Sequence, residues 1–398
     1  MTQEDFSVVH LSTGHLGGAG LAARRLNAKL NKAGINSKFF ALGQSDFTPA
    51  LNEFLILRKP LKRLASALLS SFQPRLSSKI LFSLFSVNAI PKGFENNFPD
   101  RQKTILHIHN WFNLLNIKEI LRLYNLGFPI VITLHDQRTM TGGCHYSLDC
   151  NHFESDCNNC PLLQIGLNKI PKLVTKNASR HFRNMDSRFS IIAPSHWMLS
   201  EANKSSLFKD KSTIFIPNTL DTIRNNFSPD SNPLKTHIRL GVASMNTLIY
   251  VKGGDLTKEL EIEFKEKDLP FKFLYMNEFP QDIDGRLEFW KNIDFLIVLS
   301  RAENSPNVIH EAKQLGIPVI ASKIGGITEL LDEDFDIGIE EEDLNVSGIL
   351  AKLRMVPDSK RTDSGRKQMQ ERFRQYTDCS IKEHIALYQK LSAESRNP

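Results

Sequence analysis

Short apolar runs, many of them unbroken and rich in β-branched residues, alternate along the chain with stretches long enough for a helix. The runs fall at 6–11, 37–42, 104–108, 130–134, 189–193, 214–217, 248–251, 271–275, 295–299 and 319–321. A strand with one wet face alternates apolar and polar residues, whereas a strand covered on both faces stays apolar throughout. Parallel strands buried between layers of helices are therefore expected, which is α/β architecture. A chain of 398 residues exceeds one ordinary core and suits two domains. Asn, Ser, Asp and Pro crowd the segment 218–233, which reads as a connection between lobes, with the boundary somewhere in 200–235. The expected division is an N-terminal Rossmann-like domain over 1–205 and a second over 206–378, with a cleft between them. A terminal helix in 379–398 is free to pack on either lobe, the N-terminal one included.

The formal charge, +6, permits a phosphate-bearing ligand or an anionic surface without requiring nucleic acid. No helix-turn-helix or RNA-binding signature and no long block of like charge is present, so a nucleic-acid partner is not expected. No window approaches the roughly 20 uninterrupted apolar residues of a membrane span. The start, Met-Thr-Gln-Glu-Asp, lacks a basic flank and an apolar signal core. A cytoplasmic setting with reduced thiols is the expectation.

After the first run comes Gly14-His-Leu-Gly17-Gly18-Ala-Gly20, followed by a helical pattern over 21–33. Glycines let the backbone approach an anion, and the helix start offers N–H groups and the positive end of its dipole. The spacing departs from the dinucleotide fingerprint, and no acidic residue closes the second strand, which argues against NAD or FAD. A tight βα turn without a ligand accounts for the same residues.

Glu303 and Glu311 are separated by seven residues, and Asn304-Ser-Pro-Asn307 between them is a helix-start pattern. Glu303 is thereby expected in a loop and Glu311 about one turn into a helix, both at the ligand-binding edge of a parallel sheet. Carboxylates in that position accept hydrogen bonds from sugar hydroxyls and from a ribose diol. Taken by spacing alone, the same residues make a capped surface helix. The downstream text, Gly316-Ile-Pro-Val-Ile-Ala-Ser322, then Ile324-Gly-Gly326 and Glu329, adds a second strand and glycine turn facing the same edge.

This stretch resembles the E-x7-E motif of the family 4 (group 1) retaining glycosyltransferases. His107-Ile-His109-Asn-Trp, Ile132-Thr-Leu-His135-Asp136, Ala193-Pro-Ser195, Ile216-Pro-Asn218, Gly17-Gly18 and Lys252-Gly253-Gly254 follow in that family's order. The resemblance covers most of the chain and implies a GT-B fold, two doubly wound Rossmann-like domains facing a cleft, here with a shortened second domain. It further implies a nucleotide-sugar donor such as a UDP- or GDP-sugar, and a glycan or lipid-linked acceptor in polysaccharide or lipopolysaccharide assembly. Under it Glu311 binds the ribose, and Glu303 holds the transferred sugar with amides of Asn304, Ser305 and Asn307. Lys252 neutralises the diphosphate opposite Gly17 and Gly18, His135 contacts the sugar near the reacting carbon, and His109 lies on the acceptor side. A fixed cation and oriented amides stabilise the charge of a departing nucleoside diphosphate, so no cofactor is required for catalysis. The family pairs its lysine with an arginine about five residues earlier. Here that text is Gly241-Val-Ala-Ser-Met-Asn246, without a cation, which keeps a non-catalytic nucleotide-sugar-binding scaffold as the alternative; Arg239 and Arg301 are the candidate substitutes.

Cys144, Cys150, Cys157 and Cys160 fall within the segment 141–161, which also holds His145 and His152. Four thiolates at that density, ending in C-x2-C, can close a structural zinc site that orders a polar loop. Free thiols, a pair of disulfides or a redox pair are the other readings. The segment resembles a Cys-rich insert of some bacterial enzymes of the family. Residues 54–86 mix bulky apolar side chains with Arg58, Lys59, Lys62, Arg63, Arg75 and Lys79. They read as a basic amphipathic helix, either on an anionic membrane face, placing the protein at the inner face of the cytoplasmic membrane, or packed as core.

Overall fold

The computed structural model describes residues 6–43, 49–57, 60–62, 64, 82–163, 166–220, 237–243, 250–280, 283–355 and 363–396. The chain forms two compact units. Among the described residues, the first is built from those up to Thr219 with Cys379 onward, and the second from Leu220–Asp378.

The first unit holds a sheet of seven parallel strands: β1 (Ser7–Ser12), β2 (Asn36–Leu42), β3 (Glu53–Ile56), β4 (Thr104–Asn110), β5 (Ile130–Thr133), β6 (Phe189–Ala193) and β7 (Thr213–Phe215). Their spatial order is β3-β2-β1-β4-β5-β6-β7. The winding direction reverses between β1 and β4, and in such sheets ligands bind beyond the carboxyl ends of the strands at that point. Helices α1 (Gly17–Lys32), α2 (Ile117–Asn125), α3 (Ile170–Phe182) and α4 (His196–Lys204) connect the strands. β4, β5 and β6 are buried almost from end to end, the two histidines of β4 and the serine of β6 included.

The second unit has five parallel strands, β8 (Ile238–Val242), β9 (Phe271–Tyr275), β10 (Phe295–Val298), β11 (Val319–Ser322) and β12 (Ile337–Ile339), in the order β12-β11-β10-β8-β9. Helices α5 (Gly254–Glu266), α6 (Ile283–Asn292), α7 (Asn307–Gln314), α8 (Val346–Arg354) and α9 (Asp363–Asp378) belong to it. The next helix, α10 (Ser380–Arg396), returns to the first unit. There Leu387, Tyr388 and Leu391 are buried with Phe6, Val8, Leu26, Ile105 and Ile192.

Two sequence expectations are corrected. In the run 248–251, residues 248–249 lie outside the described residues, and Tyr250–Lys252 is a 3-10 turn rather than a strand. The strand of that region is β8, whose Arg239 and Gly241 break the apolar run in sequence. Arg239 is held there by Asp294, which accepts from both its backbone N–H, at 2.8 Å, and its guanidinium, at 3.3 Å. In 54–86 the first residues are not helical: 53–56 form the edge strand β3. Arg24 grips the Glu53 carboxylate with two hydrogen bonds of 2.8 and 2.9 Å, and Phe54 stacks on Phe40 at 4.9 Å, so this acid serves to dock an edge strand. Residues 58–59, 63 and 65–81 of the proposed membrane helix lie outside the described residues.

Candidate active site

In the second unit the carboxyl end of β10 leads into the loop carrying Glu303 and then into α7, which begins at Asn307 after an extended Pro306. Glu311 lies on the first turns of α7 and is buried. Asn304 and Asn307 are buried beside it, and the Ser305 hydroxyl is 2.8 Å from His310 Nε2. The turn Tyr250–Lys252 and the following Gly253 place Lys252 against this loop. Gly253 adopts φ +71°, and a Cβ there would run into the Leu299 carbonyl, so only glycine lets the lysine turn close on the end of β10. Lys252 Nζ donates to Glu303 Oε2, the Asn304 N–H approaches Glu303 Oε1 at 3.3 Å, and Gly326 donates to the Glu303 carbonyl at 3.1 Å.

Neither candidate substitute for the missing arginine is disposed to act as one. Arg301 forks onto Asp255 at 2.7 and 2.8 Å and lies 3.8 Å over the Tyr250 ring. Arg239 is committed to Asp294. A second cation reaches the acid pair from α6, where Arg286 NH2 donates to Glu311 Oε2 at 2.9 Å. It stands 25 positions before its partner in an otherwise ordinary helical segment, so nothing in the sequence singles it out.

In the first unit Gly17 and Gly18 are the first residues of α1, after an extended Leu16, with no acidic side chain in the first turn. Gly20 is set by packing: a Cβ there would meet the Gly14 carbonyl. The helix start is thus electropositive and lies just past β1. His109 is on β4 and His135 just past β5, and the two rings are joined by a 3.0 Å hydrogen bond. Both line a recess with Asn110, Trp111, Phe112, Asp136, Arg138 and Thr139. Burial drives His135 down to about 4, and drives His109 well below the usual imidazole range, so both rings are neutral at pH 7.

Asp136 caps the next turn by accepting from the Arg138 N–H at 2.9 Å, and its other oxygen meets His145 Nδ1 at 2.7 Å. Burial pushes its carboxyl up, but His145 and the Arg138 amide outweigh this and hold it below the usual carboxylate range. His145 Nε2 is 3.0 Å from Ser83 Oγ, so both its nitrogens are hydrogen-bonded. Through this pair the Cys-rich segment is fastened to the His135 strand end.

Of the four clustered cysteines, Cys144, Cys157 and Cys160 are buried and Cys150 is partly exposed; none is in a disulfide. The Cys144 and Cys160 thiols are close enough to couple, which holds Cys160 below the usual thiol range and raises its partner. Cys157 accepts from the Gly142 N–H at 3.2 Å, and burial pushes it up to about 11. Among the described residues no three of these sulfurs lie within 4.8 Å of one another, so the structure brings together a pair rather than a closed ligand set.

Residues 248–354 match the family model described as glycosyl transferases group 1. The chain is 22% identical over 303 residues to the Escherichia coli (strain K12) protein WcaC, named for glycosyl transfer in colanic acid biosynthesis, covering 68% of this chain and 74% of that one. Among solved structures, sucrose-phosphate synthase of Thermosynechococcus elongatus superposes with a TM-score of 0.64 at 15% identity over 98% of this chain and 100% of its own. Anabaena HepE in complex with UDP and glucose gives 0.57 at 15% identity over 96% and 98%. The lipopolysaccharide outer core galactosyltransferase WaaB gives 0.54 at 10% over 98% of each chain. These likenesses establish the fold class as that of the GT-B glycosyltransferases, two parallel α/β sheets in one chain.

Proposed function

We propose that the protein is a glycosyltransferase that moves a sugar, with retention of anomeric configuration, from a nucleoside diphosphate donor to a glycan or lipid-linked acceptor of a cell-surface polysaccharide or lipopolysaccharide. The observation that carries the reading is the Lys252–Glu303 pair beside the buried Glu311, all within the segment matching group 1 glycosyl transferases. Glu303 accepts hydrogen bonds from hydroxyls of the transferred sugar, and Glu311 accepts from the ribose diol. Lys252 neutralises charge developing on the diphosphate as the bond to the anomeric carbon breaks. Amides at the start of α7 offer further oriented N–H groups to anionic oxygens. His135 serves as a neutral hydrogen-bonding group toward the sugar, and His109 is the nearest candidate on the acceptor side. WcaC is named for colanic acid biosynthesis and WaaB for the lipopolysaccharide outer core, and the HepE structure holds UDP and glucose, which supports this class of acceptor and donor.

Incubation with UDP-, GDP- and ADP-sugars should give slow donor hydrolysis that is lost in Glu303→Ala and Lys252→Ala. Unchanged hydrolysis in both variants would end the assigned roles, and NMR of the product anomer decides retention. The absence of a basic residue in Gly241-Val242-Ala243 at the end of β8 favours, as a second reading, a scaffold that binds the donor without turning it over. Nucleotide binding with no turnover on any donor would select it.

Two further parts of the proposal have their own support. Exposed Leu51, Phe54, Leu55, Leu57 and Leu61 adjoin Arg58, Lys59, Lys62 and Arg63 in sequence, which suits a protein working at an anionic inner membrane face. No helix among the described residues is long and apolar enough to cross a bilayer. Co-sedimentation with anionic but not zwitterionic vesicles tests it. Structural zinc at Cys144, Cys150, Cys157 and Cys160 is supported by the Cys144–Cys160 contact and the density of thiols, and it requires the other two sulfurs to move in. Metal content below about one third of an ion per chain would rule it out.

A further inference from the structure

Three imidazoles in the first unit form a chain of hydrogen bonds that the roles above leave unused. His10 Nδ1 is 3.0 Å from His109 Nε2, and His109 Nδ1 is 3.0 Å from His135 Nε2. The sheet builds this chain. β1 and β4 pair with His10 opposite His107, His109 follows two residues on and so shares the face of His107, and His135 leaves the end of the neighbouring β5. His107 is anchored separately, with Nδ1 2.7 Å from the Tyr388 hydroxyl and Nε2 2.7 Å from Thr133 Oγ1.

Burial keeps every ring of the chain neutral; His10 falls to about 3. Each ring therefore carries one proton on one nitrogen, and three linked rings have only two self-consistent arrangements. In one, every ring donates outward from Nδ1, toward His135; in the other, every ring donates inward from Nε2, toward His10. The inner end decides between them. His10 is fully buried and its Nε2 has no hydrogen-bond partner. An inward arrangement strands an N–H there, whereas the outward one strands only a lone pair, and buried orphan N–H groups are the rarer defect in folded proteins. The outward arrangement is favoured, and it puts the proton of His135 on Nδ1.

A metal ion is the competing use of this cluster, since ligand atoms of His10, His107 and His109 all lie within 4.8 Å of one another. Both nitrogens of His107 and both of His109 are already engaged, so an ion would have to break bonds on two of its three ligands. A chain that ends blindly at His10 is equally unsuited to carry protons to solvent. What it can do is fix a tautomer.

We infer that His10 and His109 are positioning residues that hold His135 in its Nδ1–H tautomer, making it a preset hydrogen-bond donor to an oxygen of the bound donor sugar. The inference rests on the reading of His135 as a sugar-facing group. The test is the tautomer itself, measured by long-range proton–nitrogen NMR on protein labelled with nitrogen-15 at histidine, with His135 assigned through His135→Gln. In the wild-type protein without ligand, His135 should be protonated at Nδ1 and unprotonated at Nε2. His109→Phe should abolish that preference and lower kcat for donor hydrolysis about tenfold with KM little changed, the scale of one lost hydrogen bond. A proton on Nε2 of His135 in the wild-type protein, or an unchanged tautomer in His109→Phe, overturns the inference. So does Zn²⁺ alone converting the His109 signals to those of a metal-bound ring. The wild-type tautomer needs neither a variant nor turnover. Failure of the relay is thereby told apart from failure of the glycosyl-transfer reading, in which no donor is hydrolysed whatever the tautomer.

Discussion

Asp336 is buried with three donors on it: the Val319 N–H on one oxygen at 2.9 Å, and the Asp332 N–H at 2.7 Å and the Lys313 ammonium on the other. Both charged side chains are almost completely enclosed, so each is tolerated only because of the other. Lys313→Met should cost about 3–5 kcal/mol in urea unfolding at pH 7, because it leaves an uncompensated buried carboxylate tied only to the Val319 and Asp332 amides. A loss under about 1 kcal/mol would mean that the lysine is not what makes burial of Asp336 tolerable. Arg286 is a different case, since its side chain is about one third exposed and its bond to Glu311 is partly screened. Arg286→Ala should weaken UDP about fivefold by calorimetry, on the scale of a partly screened charged hydrogen bond. If the arginine orients Glu311 for the ribose, uridine loses affinity by the same factor; a loss confined to UDP would make it the diphosphate cation instead.

At the scale of elements, the histidines of β1 and β4, with His135 and His384, make the first sheet acid-sensitive. Burial lowers His135 and His384 from an unfolded value near 6.5 to about 4. The unfolded chain takes up protons that the native state refuses. Stability from this source is therefore complete above about pH 6.5 and is lost as pH falls from there toward about 4, at up to about 1.4 kcal/mol per pH unit for each ring. Urea midpoints at pH 7.5, 6.0 and 5.0 should fall steeply, and His384→Gln should flatten the dependence by close to one proton. A slope unchanged in that variant would count against burial of His384 as its cause. The elements carrying these residues were largely legible in sequence. The run 189–193 was bounded correctly because all five residues are buried, and 271–275 because Phe, Phe and Tyr mark it as a strand. The helix start at Asn307 was readable from Asn-Ser-Pro-Asn. β8 was hidden because Arg239 and Gly241 interrupt it, and β3 because Glu53 looks like a surface acid until Arg24 reaches it through the fold. Within the site, Glu303, Glu311 and Lys252 carry a spacing that sequence can display. Arg286 and the His10–His109–His135 chain do not, because they depend on which strands and helices become neighbours.

At the scale of the whole molecule, the first unit is discontinuous and closes only with a helix from the far end of the chain. α10 contributes Tyr388 and Leu391, both fully buried, and the Tyr388 hydroxyl anchors His107 at 2.7 Å. Serine hydroxyls set the point of return, where Ser380 Oγ donates to the Pro217 carbonyl at 2.7 Å and meets Thr219 Oγ1 at 3.0 Å. The second unit owns its sheet and its acid pair without any residue beyond Asp378. Ending the chain after Asp378 should therefore injure the two units unequally. Stripping a Tyr and two Leu from a closed core costs about as much as the roughly 5–15 kcal/mol that holds an ordinary domain together, since each large-to-small loss is about 2–5 kcal/mol, and an entire covering layer goes with them. By calorimetry the truncated chain should lose the transition of the first unit, and it should keep one that UDP raises, because a ligand of the native second unit stabilises it by mass action. If the remaining transition no longer responds to UDP, donor recognition depends on the first unit as well, and the Gly17–Gly18 helix start becomes the group to vary next.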